Sequence, residues 1–211
     1  MRKFQTLAVI CTFAFASLAT GQPGSKHLNA EAEVVELMLL RQKSVREELK
    51  IDATAAKKIF EFTYKQQQAA QETFKLPKDQ QKAKWETMIK ENDDFISANL
   101  NSQQRKRLDQ IAMHCAGLLM VTKPSIAAEL KLTKEQKQQA IKLQRENHEK
   151  IHEVISAKSG EGRNDKLAEL RKSSDEQLHR LLTADQQKKW QEMAGPAFNG
   201  KLLFEEVEKG K

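Results

Sequence analysis

The sequence predicts an all-α protein built from elongated helical hairpins, and three observations carry that prediction. Glycine and proline are scarce, 8 and 4 among 211 residues, so the turn punctuation of a sheet protein is missing. Charged residues make up 31% of the chain, and Lys, Glu, Gln and Ala are abundant, as on solvated helix faces. Aromatics are only 6%, so a core has to come from Leu, Ile, Val, Ala and Met in thin helical packing. The same composition excludes collagen-like repeats, a Gly-rich nucleotide-binding domain and a polytopic membrane protein.

The first element is residues 1–21. Arg2 and Lys3 precede an apolar run from Leu7 to Leu18, and small residues surround its end at Ser17, Ala19 and Gly21, the pattern of a cleaved signal peptide. The run is too short for a membrane span. The expectation is therefore a periplasmic or secreted chain without stable membrane insertion. Cleavage would lower the formal charge from +7 to +5 and leave Cys115 as the single thiol, flanked by Ile111, Ala112, Leu118 and Leu119 and so read as a buried small hydrophobe.

Residues 22–28 read as a disordered, polar start. Asn29 can cap a helix carrying Val34, Val35, Leu37, Met38, Leu40, Val45 and Leu49 at helical spacing. A helix from Asp52 carries Ala56, Ile59, Phe60 and Thr63 and continues to about Phe74, before Pro77 stops it. The next begins near Asp79 and aligns Trp85, Met88, Ile89, Phe95 and Ile96, with Asn92 as the one polar member of the stripe.

Beyond it a start signal recurs. Leu132-Thr133-Lys134-Glu135-Gln136 and Leu182-Thr183-Ala184-Asp185-Gln186 share one form, and Leu100-Asn101-Ser102-Gln103-Gln104 is a variant. Each predicts a capping box: the Thr or Asn side chain accepts from a first-turn N–H, the Gln three positions on reaches back, and the Leu packs as a staple. Ile51-Asp52-Ala53-Thr54-Ala55 keeps the apolar residue and the cap but lacks the Gln. The starts lie 49, 32 and 50 residues apart, and the flanks match as well: Val45–Ile51 aligns with Ile126–Leu132, and Gln104–Leu108 with Gln186–Trp190. This predicts a duplication, with a first helical unit over 29–122 and a second, including a C-terminal tail, over 123–211.

These motifs, with the export signal and basic balance, resemble the LTxxQ-motif family of exported bacterial helical proteins, which includes periplasmic Spy- and CpxP-like stress proteins and zinc-resistance-associated relatives. The motif residues here are Leu100, Asn101, Gln104, Leu132, Thr133, Gln136, Leu182, Thr183 and Gln186. The resemblance implies helical hairpins that dimerise into a shallow cradle, and an ATP-independent chaperone-like or envelope stress-response role. A typical member has two motifs. Four starts in one chain suggest an intrachain pseudo-dimer in place of, or besides, a homodimer.

One constellation points to different chemistry. His148-Glu149-Lys150-Ile151-His152 matches HExxH, in which two imidazoles one helical turn apart hold zinc and the Glu activates water. The surrounding Gln144–Glu153 stretch is strongly polar for a zinc helix, and no third ligand stands out among such common residues as Glu169 and Glu176. A zinc metallohydrolase is thus the competing reading, and a non-catalytic metal site at His148 and His152 a lesser one. His114, between Met113 and Cys115, reads as a satisfied core histidine. Lys and Arg are interleaved with Glu and Gln instead of lining one face, which argues against nucleic acid.

The sequence thus leads to a non-enzymatic exported protein, with no cofactor, that binds unfolded or envelope proteins through an amphipathic helical surface that leaves some Leu, Ile and Met exposed. A structural envelope protein without clients is the remaining alternative.

Overall fold

The computed structural model describes residues 28–156 and 163–202, so the expected signal peptide, the polar start before Leu28 and the C-terminal tail beyond residue 202 lie outside the described residues. The described chain is all-α, without a strand. Its helices are α1 (Leu28–Leu40), α2 (Lys43–Glu48), α3 (Ala53–Lys75), α4 (Lys78–Asn99), α5 (Ser102–Met120), α6 (Pro124–Glu129), α7 (Lys134–Ser156), α8 (Arg163–Leu181) and α9 (Ala184–Ala194).

The single helix expected from Asn29 through Leu49 is two helices, α1 and α2, broken at Arg41 and Gln42. The break is stabilised from within: the Arg46 guanidinium donates to the carbonyls of Leu40, at 3.0 Å, and Arg41, which α1 leaves open at its end. Bending there buries Leu39, Leu40, Val45 and Leu49 together. A continuous helix could not turn all four inward.

α3 and α4 pair antiparallel across a turn at Leu76 and Pro77, where the residue before proline is extended as its sterics require (φ −73°, ψ 155°). α7 and α8 form a second pair. α5 runs between the two halves, touching α1 on one side and α7, α8 and α9 on the other. It kinks at Ala116 (φ −135°, ψ 33°), and Arg171 of α8 donates to the carbonyls of His114 and Cys115 there, at 2.6 Å for Cys115. Next to the kink α8 comes close, since a Cβ on Gly117 would meet Leu178 Cδ2 at 3.1 Å.

The main core gathers Leu39 and Leu40 of α1, Val45 of α2, Ile59 of α3, Ile96 of α4, and Leu108, Ile111 and Met120 of α5. Cys115 is buried within it. A smaller cluster of Ala70, Trp85 and Met88, flanked by Phe74 and Ile89, holds the far end of the α3/α4 pair.

Candidate functional site

The motif residues occupy the bases of the two hairpins. Each motif places a cap and a glutamine three residues apart on the first turn of a helix, so each side chain accepts from the other residue's orphan N–H. Thr133 N–H donates to Gln136 Oε1 at 3.0 Å while Gln136 N–H donates to Thr133 Oγ1 at 3.2 Å. Thr183 and Gln186 exchange the same pair of bonds at 3.0 and 3.3 Å, and Asn101 and Gln104 at 3.0 and 2.9 Å. Asp52 accepts from Ala55 N–H at 2.8 Å without a returning glutamine. Leu100, Leu132 and Leu182 are buried beneath their caps.

The glutamines also act between motifs. Gln136 Nε2 donates to Gln186 Oε1 at 2.7 Å and to the Leu181 carbonyl at 2.9 Å. Gln186 Nε2 returns the contact to Gln136 Oε1 at 3.0 Å and reaches the Leu130 carbonyl at 3.2 Å. Each amide therefore uses both donor hydrogens, and each oxygen accepts two bonds, one from its own cap and one from its partner. In the first half Gln104 Nε2 donates to the Leu49 carbonyl at 2.9 Å, but Ala55 stands where a reciprocating glutamine would sit.

The carbonyls that Gln104 and Gln186 reach, those of Leu49 and Leu130, belong to matching turns. Lys50 and Lys131, 81 positions apart, both take positive φ, 54° and 51°. Around Lys50, Lys50 N–H donates to the Glu47 carbonyl and Ile51 N–H to the Arg46 carbonyl, and around Lys131, Lys131 N–H donates to Ala128 and Leu132 N–H to Ala127. Each is a Schellman turn with lysine in the left-handed position that glycine usually takes.

Among the described residues the exposed large hydrophobics are Phe60, Tyr64 and Leu76, at 43%, 63% and 36% of full exposure. Of the Leu, Ile and Met expected to leave apolar surface, Leu76 is exposed, and an aromatic pair one turn apart on α3 joins it. Phe60 itself was expected in the buried stripe. α3 instead turns Ile59, Thr63, Gln66, Ala70 and Thr73 inward, which leaves Phe60 facing out under Arg46, whose Cζ lies 4.6 Å from the ring centroid. Lys57, Lys58 and Lys65 are exposed on the same helix, as is Glu61, which pairs with Lys57 at 3.9 Å.

His148 is half-buried on α7 and Glu149 is exposed, while the side chain of His152 lies outside the described residues. Among the described residues no group of three or more His, Cys, Asp or Glu is placed to hold a metal. His114 is half-buried with Nε2 3.3 Å from the Gly195 carbonyl.

Two features escaped the sequence reading. Glu36 and Lys123 are 2% and 7% exposed and pair in the core, with Lys123 Nζ also 3.3 Å from Asp109 Oδ1. Burial pushes the Glu36 carboxyl up to about 8, against the attraction of Lys123 and with Asp109 adding to the rise. A glutamate inside the apolar run Val34–Leu40 was its visible signal. The other is the extended segment after α9, whose Phe198 and Leu202 join the main core.

No described helix is long and apolar enough to cross a membrane. Comparison of the chain with family models, curated proteins and solved structures finds no match.

Proposed function

We propose that the chain is an exported, ATP-independent chaperone-like or envelope stress-response protein, acting by binding and without catalysis in the periplasm or outside the cell. The observation that carries this reading is the aromatic pair Phe60 and Tyr64, exposed on α3 with Arg46 over the Phe60 ring, on a helix that also exposes Lys57, Lys58 and Lys65. A soluble surface that keeps aromatics exposed among cations suits unfolded segments that are apolar and carry acidic residues. The likeness to LTxxQ-motif proteins supports the same role. The recurring turns and caps 81 to 82 residues apart support reading 29–122 and 123–211 as pseudo-repeated elongated hairpin units, an intrachain counterpart of a dimer.

The test is aggregation of a chemically reduced globular protein, followed by light scattering with and without the mature chain. Suppression is expected at low salt and should weaken well above 0.15 M, where the screening length falls below about 8 Å. Phe60→Ala with Tyr64→Ala should reduce suppression while helix content stays unchanged. Absence of suppression at several-fold excess in low salt defeats the proposal.

A further inference from the structure

The segment Gly195–Leu202 leaves α9 and crosses from the second half of the chain onto the seam between α5 and α2, without entering any helix. How it is held is informative. Most of the polar contacts fall on its main-chain carbonyls. Arg107 Nη1 of α5 donates to the Pro196 carbonyl at 2.7 Å and Nη2 to that of Ala197 at 3.5 Å, Ser44 Oγ of α2 donates to the Lys201 carbonyl at 2.7 Å, and His114 Nε2 sits 3.3 Å from the Gly195 carbonyl. Arg107 is itself fixed across the seam by its ion pair with Glu48 of α2.

Side chains contribute at two places. Phe198 and Leu202, four residues apart, are each 9% exposed and enter the core, while Pro196, Ala197, Asn199 and Lys201 face solvent. Between the anchors the backbone lies so close that a Cβ on Gly200 would meet the Phe198 ring at 2.3 Å and Ser44 Cβ at 2.8 Å. The seam therefore accepts the pattern apolar, any, Gly, any, apolar, and reads carbonyls that every peptide possesses. Gly195, at φ 60° and ψ −152°, takes a conformation that no residue with a side chain adopts without strain, and the described segment from Gly195 to Leu202 contains no helix that would have to unfold for it to leave.

We propose that the α2/α5 seam is a receptor for extended peptide segments with two apolar anchors flanking a glycine, and that Gly195–Leu202 is its built-in, displaceable occupant. Recognition by main-chain bonds plus a few buried side-chain anchors is the way extended peptides are held with sequence tolerance. The tethered occupant lowers the apparent affinity for an outside peptide by the fraction of molecules whose seam is empty. This surface is separate from Phe60 and Tyr64, so its failure leaves the aggregation test untouched.

The test uses the full chain and a fluorescein-labelled peptide of residues 195–202, GPAFNGKL, followed by anisotropy. Two variants free the seam by different means: Phe198→Ser with Leu202→Ser removes the anchors, and Gly200→Ala forces the segment off its seat without altering the identity of any core side chain. Either, if it keeps helical circular dichroism and a cooperative melt, should bind the peptide at least about ten-fold more tightly than the unaltered chain. Adding Arg107→Ala, or using the peptide with alanine in place of its second glycine, should abolish the gain. Lack of a gain in a folded variant overturns the proposal, as does a gain that survives both controls. In that case the segment is a fixed clasp between the halves.

Discussion

The two hairpins start from closely similar bases and diverge along their shafts. α3 and α4 are cemented by rings: Phe62 stacks on Phe95 with centroids 3.9 Å apart, and Phe74 meets Trp85 edge-on at 5.2 Å, above the Ala70, Trp85 and Met88 cluster. α7 and α8 contain no Phe, Tyr or Trp, and the polar residues they bury match Thr63 and Gln66, buried 81 positions earlier on α3. Gln144 and Asn147 are buried, and Asn147 Nδ2 donates to Gln177 Oε1 at 2.8 Å. At the base the order reverses, because the α7/α8 half has the complete glutamine interlock and the α3/α4 half has half of one. What separates the two hairpins is thus the ring pairs in one and the complete glutamine interlock in the other. Hairpin shafts tolerate such exchange because exposed i,i+4 pairs such as Lys82–Glu86 and Lys142–Glu146 contribute little to either.

The sharpest way to break this contrast is Trp85→Ala. Removing a buried indole from a small cluster should cost about 3–5 kcal/mol. Hydrogen exchange should then speed up in the outer turns of α3 and α4 and stay unchanged in α7 and α8. Equal loosening of both hairpins would show that they unfold as one unit.

Gln186→Ala comes next, at about 1–3 kcal/mol, because it strips a donor from the Leu130 carbonyl and from Gln136 Oε1 in a half-buried site. Gln104→Ala should cost less, since a single interhelical bond is lost. In denaturant melts the Gln136→Ala and Gln186→Ala cycle should show coupling of about 0.5–3 kcal/mol. Additive losses would mean that the amides act as separate caps.

The shared centre carries a pH dependence. Glu36 has a folded pKa raised above its unfolded value, so it favours the protonated fold. The stability it contributes is complete below about pH 4.5 and is lost as pH rises through about 8. The slope from this one group is at most about 1.4 kcal/mol per pH unit. Chemical denaturation at pH 5 and pH 8.5 should show the decline, and Glu36→Gln should flatten it.

The smallest effect sharpens the likeness of the two bases. Lys50→Gly and Lys131→Gly each relieve a left-handed lysine and should raise stability by about 0.5–1 kcal/mol, equally in both halves. Calorimetric melts that reward only one site would separate the two turns.

Helix positions and caps were legible in the sequence because they are local. A capping box spans three residues, so Thr133–Gln136 and Thr183–Gln186 declare themselves whatever the rest of the chain does. The all-helical class was legible in composition and period for the same reason. Features that join distant parts of the chain were not. The Gln136–Gln186 interlock spans 50 residues, the Lys123–Glu36 pair 87, and the Arg107 contact with Pro196 89. Even the break between α1 and α2, though local, depends on which side chains the core takes in, as does the outward turn of Phe60. Residue type and spacing determine what a helix start can bond to, whereas only packing decides which of several apolar faces is buried and which polar groups must then find partners inside.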